Sequence, residues 1–293
     1  MFTDSHTHIL MTTKKIENPK DMMSSLKKEG FKFIMDIGTE PGDLKKRIDC
    51  VKDISGGNIP SFIHFAAGLW PHSATIENRD EALTMLEQDI KIGLKEARSF
   101  ATSPIFALGE CGLDRYWNGP AAEKRGAGSQ ADDEKGTTDI EGEEFLFKEQ
   151  LKIAKEKNLS VIVHSRDAYE DTLKCIDEVG HHKGIIHCYS YGLKEAYSFL
   201  ERGWFISFPG NITYAKKQAD KDRIAELVRA IPADKLLLET DAPYLAPVPF
   251  RGKINTPLLI EYTYAAVSEI LDKSMEALAE QIYQNCCSCF LVK

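Results

Sequence analysis

The stretch LSVIV at Leu159–Val163 decides the fold class of this chain. Val161, Ile162 and Val163 follow one another without the polar alternation of a half-buried strand. A short apolar run of this kind is typical of a strand covered on both faces, as in parallel sheets packed between helices. The stretch therefore predicts an α/β fold with a parallel sheet.

Similar apolar runs, bounded by turn residues, recur along the whole chain. With the first run they predict eight strands, at Met1–Asp4, Phe31–Ile37, Ser61–Gly68, Ile105–Gly109, Leu159–Val163, Gly184–Ile186, Trp204–Phe208 and Lys235–Leu238. Segments with helical periodicity lie between the strands, at about residues 19–29, 42–54, 83–97, 144–157, 168–179, 192–202, 224–231, 256–271 and 274–291.

The alternation of these strands and helices indicates the topology. Eight strands match the count of a closed (β/α)8 TIM-type barrel, which we predict as a single domain over residues 1–293. A doubly wound open sheet is the alternative. It is disfavoured because no GxGxxG motif follows the first predicted strand.

Composition limits the class of protein further. With 293 residues, 43% hydrophobic and 28% charged, the chain can bury a large core without help from disulfides. This composition excludes a fibrous or wholly disordered protein. The formal net charge of -8 disfavours a protein that holds nucleic acid by overall positive charge. Phosphate binding would therefore need local cations or a bound metal.

Several features bear on location. The sequence contains no apolar run long enough to span a bilayer, and MFTDSHTH at the N-terminus lacks the pattern of a secretory signal. The seven cysteines are an odd number without the spacing of a disulfide framework, which predicts reduced thiols. We expect a cytoplasmic protein that contacts no membrane. Nothing in the sequence indicates an obligate protein partner.

One segment interrupts the alternation of strands and helices. Residues 117–144 contain five glycines, many charged residues and few aliphatic ones, and they follow the fourth predicted strand. This composition predicts a mobile insertion at the C-terminal mouth of the barrel, where active sites of this fold lie. The segment can be a lid over the active site or a solvated loop without a function there.

Side chains that bind metal ions follow several predicted strands, where sites of this fold are assembled. A structural role is more common for any single histidine, but six such residues around one rim favour a metal site. Their nitrogen and oxygen donors favour Zn, Mn, Mg or a related divalent ion, and six ligands with one shared carboxylate can hold two ions. The six residues are His6, His8, Glu110, His164, His187 and Asp241.

Other polar residues are candidates for contact with substrate. His72 follows the third predicted strand, which favours a role as a donor to substrate rather than as a metal ligand. Arg166, Arg251 and Lys253 lie on predicted loops at the mouth and can neutralise phosphate. His64 lies inside the third strand and is expected to be structural.

The motifs of the chain resemble those of the TatD family of metal-dependent deoxyribonucleases, within the amidohydrolase-type barrels. HSRDA and ETDAPYLAP are the specific ones, whereas DSHTH is shared with amidohydrolases more widely. In the family's order, and across nearly the whole chain, the matching motifs are DSHTH (4–8), GLWPH (68–72), GECGLD (109–114), HSRDA (164–168), HCYS (187–190), SFPGNITY (207–214), LLLETDAPYLAP (236–247) and RGKINTP (251–257).

The resemblance implies a TIM-type barrel with one or two divalent ions (Zn, Mg or Mn). It implies hydrolysis of phosphodiester bonds in DNA, as single strands or at 3′ ends, often by a 3′-to-5′ exonuclease. The same six residues become the ligands, with Glu110 between the two ions. Two departures stand out: Trp70 lies where the family often has histidine, and the insertion is longer than the family's loop.

The mechanism expected from these residues is attack on phosphorus by a metal-bound water. Asp241 would orient that water and accept its proton, while His72, Arg166 and Arg251 would stabilise charge on the phosphoryl oxygens. Glu239, two residues before Asp241, is expected to lie behind the ligands and support one of them.

Two other functions stay open from the sequence. Similar metal sites cleave other bonds, so the second hypothesis is a different metallohydrolase, such as a lactonase, phosphotriesterase, amidase or aminoacyl-tRNA deacylase. The third hypothesis is a non-catalytic scaffold protein that has kept the barrel. It is disfavoured because six converging polar groups without a ligand would cost stability.

Overall fold

Eight parallel strands form one sheet in which each strand pairs with the next along the chain. The computed structural model describes residues 2–99, 106–120 and 136–290. This order confirms the predicted α/β barrel of TIM type. The strands are β1 (Thr3–Thr7), β2 (Phe33–Asp36), β3 (Ile63–Ala67), β4 (Phe106–Asp114), β5 (Val161–Arg166), β6 (Gly184–Ile186), β7 (Phe205–Phe208) and β8 (Leu236–Leu238).

Helices follow the strands and cover the outside of the barrel. Two of them, α1 and α4, were not predicted, because a single turn is too short to show helical periodicity. The helices are α1 (Ile9–Thr13), α2 (Pro19–Lys28), α3 (Leu44–Ile54), α4 (Ser73–Glu77), α5 (Arg79–Ser99), α6 (Ile140–Lys157), α7 (Tyr169–Val179), α8 (Leu193–Glu201), α9 (Gln218–Ala230), α10 (Ile260–Leu271) and α11 (Met275–Phe290). None of the helices in the described part of the chain combines the length and apolar character needed to cross a membrane.

The core lies on both faces of the sheet, as the uninterrupted apolar runs predict. Val161, Ile162 and Val163 are all fully buried, so neighbouring residues that point in opposite directions both avoid water. One set of side chains fills the barrel and the other packs against the helices. Trp204, just before β7, is the largest of the fully buried side chains.

Hydrogen bonds between β1 and the residues that follow β8 close the barrel, and they involve polar residues next to the candidate ligands. The amide of Asp241 donates a hydrogen bond to the carbonyl of His6 at 2.9 Å. The buried carboxylate of Asp4 accepts hydrogen bonds from the hydroxyl and amide of Thr240, at 2.6 and 3.0 Å. Barrel closure therefore also fixes the backbone of two candidate ligands.

Three strands extend beyond their predicted ends. His6, Glu110 and His164 lie inside β1, β4 and β5, rather than after these strands. The sequence prediction ended each strand where its apolar run ended, but the C-terminal end of the barrel interior accepts polar side chains. The register of β4 against β5 also shifts between Leu108 and Cys111, which marks a bulge at Glu110.

Both ends of the predicted insertion make hydrogen bonds to their surroundings. Helix α6 begins at Ile140, four residues earlier than predicted, and the side chain of Asp139 accepts a hydrogen bond from the amide of Gly142 at 2.8 Å. Asn118 is buried and accepts a hydrogen bond from the amide of Thr137 at 3.0 Å. Residues 121–135 of the predicted insertion lie outside the described residues, and the mobility of 117–144 stays a prediction.

His64 occupies the structural position that the sequence predicts, in the middle of β3. Its ring stacks on Phe33 with 4.7 Å between the centroids. Burial lowers the pKa of His64 to about 4, because the charged imidazolium loses its hydration there. The unfolded chain, with the ordinary histidine pKa, therefore binds a proton at mildly acidic pH that the folded chain does not bind.

This difference predicts an acid-sensitive contribution to stability. Between pH 7 and pH 5, proton uptake by the unfolded state should remove about 2 kcal/mol from the free energy of unfolding. His64→Gln should lack this contribution, whereas His182→Gln, at an exposed histidine, should retain it. Urea denaturation of the three proteins at both pH values measures the effect. An equal loss of stability in all three would contradict the assignment.

Candidate metal centre

All six predicted ligands converge at the C-terminal end of the barrel. His187 follows β6 directly and Asp241 follows β8, while the other residues come from β1, β4 and β5 or the residue next to them. Their donor atoms form two groups that are each compact enough to hold a single ion, and a third set of the same kind joins His6 and His187 to Glu239.

The first group lies at the barrel seam and consists of His6, His8 and Asp241, with Glu110 Oε2 beside the two imidazoles. The Nε2 atoms of His6 and His8 are 3.2 Å apart. From Glu110 Oε2 these nitrogens lie at 3.4 and 3.7 Å, and from Asp241 Oδ1 at 3.6 and 3.5 Å. Tetrahedral ligands about 2.1 Å from a metal are about 3.4 Å from one another. The spacing of His6, His8 and Asp241 therefore suits one divalent cation, and Glu110 Oε2 lies close to both imidazoles.

The second group lies on the other side of Glu110. Its Oε1 atom is 2.9 Å from both His164 Nδ1 and His187 Nε2, and these two nitrogens are 3.4 Å apart. Three protein ligands leave a coordination position open, as catalytic metal sites require. Glu110 is thus the carboxylate that the two groups share.

The chemistry of the pocket also fits a cation. The nearest contact in the first group joins two imidazole nitrogens, and at most one of them can donate a hydrogen bond to the other. Among the residues described, the buried atoms His6 Nδ1, His187 Nδ1 and Glu239 Oε2 have no hydrogen-bond partner. A cation bound at the Nε2 atoms would offset the cost of burying these nitrogens side by side, whereas the two unpaired Nδ1 atoms point away from both groups.

Electrostatics in the pocket couple the carboxylates to the imidazoles. Burial alone would raise the pKa of Glu110, but the imidazoles of His187 and His164 outweigh burial and hold that pKa well below its usual range. Burial would lower the pKa of His164, but the carboxylates of Asp114 and Glu110 raise it to about 9. In the metal-free protein a proton therefore occupies His164, and a cation has to displace it.

Asp114 is a site residue that the sequence prediction missed. Its Oδ2 atom lies 2.9 Å from His164 Nε2, on the side of the ring opposite Glu110. Its Oδ1 atom accepts hydrogen bonds from the amides of Tyr116 and Trp117, at 2.9 and 2.8 Å. Its place at the end of GECGLD is a sequence feature that could have identified it, had β4 not been predicted to end at Gly109.

Glu239 lies on the Nδ1 side of His187. Its Oε1 atom is 3.5 Å from His187 Nδ1 and accepts a hydrogen bond from the amide of Cys188 at 2.7 Å. The Nε2 atom of His187 faces Glu110 on the opposite side. A carboxylate behind an imidazole in this way keeps the other nitrogen free for a cation.

His72 lies at the mouth, but outside the two ligand groups. Its Nδ1 atom accepts a hydrogen bond from the amide of Ala74 at 3.2 Å and so caps α4. The ring of Trp70 lies 6.3 Å from that of His72 and 5.6 Å from that of His164. Trp70 thus contacts the centre as a ring rather than as a ligand.

The predicted phosphate-binding residues are exposed, and each lies against an aromatic ring. Lys15, which was not predicted, joins them, and all of these cations and rings lie at the end of β5 or in the segments that follow β1, β4, β7 and β8, on the same end of the barrel as the ligands. We call the set the cation–aromatic rim. Its pairs, with the distance from the charged group to the ring centroid, are Arg166–Tyr116 (3.7 Å), Arg251–Tyr214 (4.3 Å), Lys15–Tyr244 (5.0 Å) and Lys253–Phe250 (5.8 Å).

The chain is similar to several known metal-dependent hydrolases. The profile of the family described as TatD related DNase matches residues 3–291. YabD of Bacillus subtilis, an uncharacterized metal-dependent hydrolase, is 30% identical over 287 residues, covering 97% of each chain. YcfH of Escherichia coli, described in the same words, is 29% identical over 288 residues, covering 96% of this chain and 92% of that one.

Solved structures share the fold. The crystal structure of YjjV, a TatD homolog from Escherichia coli, matches with a TM-score of 0.74 at 24% identity, over 100% of this chain and 98% of that one. A TatD family hydrolase from Entamoeba histolytica matches with a TM-score of 0.76 at 18% identity, with the same coverage. At these identities the likeness shows the barrel architecture alone.

Asp114 provides a test of the two-group geometry. Asp114→Asn keeps an oxygen for the amides of Tyr116 and Trp117, but it removes the negative charge beside His164. Affinity for Mn²⁺ should fall about 10–100-fold at one of two binding steps, since only the second group contains His164. Titration calorimetry of the metal-free protein measures both steps. The control is Asp177→Asn, at an exposed ion pair with Arg202. Unchanged affinities in the Asp114 variant would show that this carboxylate does not orient the ligand.

Proposed function

The chain belongs to the family of TatD related DNases and is a metal-dependent hydrolase, and on that premise we propose that it cleaves phosphodiester bonds of DNA, from the 3′ end. The observation that carries the proposal is the carboxylate of Glu110, which gives one oxygen to each of two groups of ligands. Two cations held side by side in this way are suited to stabilise the attacking and leaving oxygens of phosphoester hydrolysis.

The protein supplies the ligands and a proton acceptor. A divalent cation in this centre would lower the pKa of a water molecule and withdraw charge from the phosphoryl oxygens. His6 and His8 present their Nε2 atoms, and their side chains are almost fully buried. Asp241 is the most accessible member of the first group, with 14% of its side chain exposed. We therefore assign Asp241 as the group that accepts the proton from the attacking water.

The cation–aromatic rim supports DNA as the substrate. Aromatic faces stack on bases and neighbouring cations pair with phosphates in sites that bind single-stranded nucleic acid. Because the whole chain carries a net charge of -8, a polyanion would depend on the local positive charge that these four pairs and a bound metal place at the mouth. A lactone or another small neutral ester has no row of phosphates and bases that could contact four such pairs.

Individual residues of the mouth take specific roles in this proposal. Arg166 lies two residues after His164 on β5, so both side chains project from the same side of the strand. Its guanidinium is thus assigned to the phosphate that is cleaved, while Arg251 and Lys253 are assigned to phosphates further along the strand. His72, with Nδ1 engaged in capping, can donate to substrate through Nε2.

We place this activity in the cytoplasm. All seven cysteines are free, and four of them are fully or almost fully buried: Cys111, Cys175, Cys286 and Cys289. Unpaired thiols in this number suit a reducing compartment.

The proposed proton acceptor predicts a loss of rate without a loss of fold. Asp241→Asn should lower kcat on a single-stranded oligonucleotide about 10²–10⁴-fold with little change in Tm, since the amide cannot accept the proton. The matched control is Asp272→Asn, because Asp272 has a φ of 52° beside 54° for Asp241 and ends α10 far from the centre.

Substrate choice is measured in the same experiment. Protein loaded with Mn²⁺ is assayed on the oligonucleotide, a lactone, a phosphotriester and aminoacylated tRNA. Fastest turnover of the oligonucleotide, from its 3′ end, is expected. Faster turnover of any other substrate would replace DNA in the proposal. Near-full activity of Asp241→Asn would remove the assignment of the proton acceptor, and lost activity explained by metal occupancy alone would leave Asp241 as a ligand only.

A further inference from the structure

The segment that links β2 to α3 contacts the metal centre through its backbone carbonyls. Residues 37–39 carry no candidate ligand, yet three successive carbonyls meet residues of the centre. One orients an imidazole, one holds the strand that carries the shared carboxylate, and one holds the tryptophan at the mouth. The contacts are Ile37 O with His8 Nδ1 (3.2 Å), Gly38 O with the amide of Glu110 (2.7 Å) and Thr39 O with the amide of Trp70 (3.1 Å).

A buried arginine underlies this segment. The side chain of Arg47, on α3, is only 3% exposed. Its guanidinium donates to the carboxylate and carbonyl of Asp36, at 2.8 and 3.1 Å, and to the carboxylate of Asp43 at 2.9 Å. A further donor reaches the carbonyl of Ala66 on β3 at 2.5 Å. One side chain therefore ties together β2, β3 and the start of α3.

The carboxylates of Asp36 and Asp43 connect Arg47 to backbone amides next to the metal centre. Asp36 Oδ1 accepts a hydrogen bond from the amide of Ile9, the residue after His8, at 2.8 Å. Asp43 Oδ2 accepts a hydrogen bond from the amide of Thr39 at 3.3 Å. Each carboxylate thus uses one oxygen for the arginine and the other for backbone next to the centre. The linking segment is fixed at both of its ends.

We propose that Arg47 is a positioning residue of the metal centre. It fixes the carbonyls of residues 37–39, and through them the ring of His8 and the backbone of Glu110. This inference rests on the proposed function, because it assumes that these two residues bind cations. The partner of the far nitrogen of a ligating imidazole sets the orientation of the ring, so displacement of the Ile37 carbonyl would displace the ligand atom.

Lysine cannot replace arginine in this position. The guanidinium reaches four acceptors in different directions, whereas an ammonium group is a single point of charge. Arg47→Lys therefore preserves the charge of the buried cluster and removes its geometry. Affinity for Mn²⁺ of the metal-free protein should fall about 10–100-fold, as for other groups that orient ligands.

A second variant moves the segment without altering any charge. A Cβ atom at Gly38 would lie 2.6 Å from Arg47 Nη2 and 2.9 Å from Asp43 Oδ1, so Gly38→Ala has to displace the segment or the arginine. It should weaken Mn²⁺ binding in the same way as Arg47→Lys. The control is Leu278→Ala in α11, which opens a cavity in the core away from the segment and lowers stability alone.

Calorimetric titration of the folded proteins with Mn²⁺, together with Tm, separates the possible roles. Weaker binding in both segment variants and unchanged binding in the Leu278 control would support positioning. If Arg47→Lys and Gly38→Ala lower Tm but bind Mn²⁺ like the wild type, Arg47 serves the fold alone and the inference is overturned. A wild-type protein that binds no divalent cation would instead overturn the proposed function.

Discussion

The carboxylate of Glu110 holds the centre of this protein together. Its two oxygens face imidazoles on opposite sides, His6 on β1 at 3.4 Å and His187 after β6 at 2.9 Å. These elements lie far apart in the sequence and come together only when the barrel closes. The hydrogen bond from Asp241 to the carbonyl of His6 belongs both to that closure and to the centre. The metal centre can therefore exist only in the closed barrel.

The chain is acidic overall, whereas the mouth of the barrel is cationic and the buried centre combines carboxylates with imidazoles. The chain is acidic as a whole, with a net charge of -8, yet its mouth presents four cations against aromatic rings. Within the barrel, imidazoles balance the buried carboxylates, and this balance keeps the pKa of Glu110 low. In the proposed function, bound cations would add positive charge next to the phosphate that is cleaved. Acidity elsewhere does not oppose substrate binding, because salt screens charges beyond about 10 Å.

Local patterns in the sequence were sufficient for the strand count, the barrel and the candidate ligands, but not for the contacts among distant residues. The apolar run at Val161–Val163 shows a strand buried on both faces, and this property is visible from neighbouring residues alone. The strand continues through His164, which the apolar pattern could not show. The roles of Asp114 and Arg47 were missed for a different reason. Each depends on partners from other strands or helices, and charged residues in a sequence ordinarily indicate an exposed surface.

The central claim is that two divalent cations share Glu110, and anomalous diffraction tests it most directly. Crystals grown with Mn²⁺ and measured near the manganese edge would show where each cation lies. Two peaks about 3.5–4 Å apart, one on each side of the Glu110 carboxylate, are the expected result. A single peak away from Glu110, or no peak at saturating Mn²⁺, would contradict the claim.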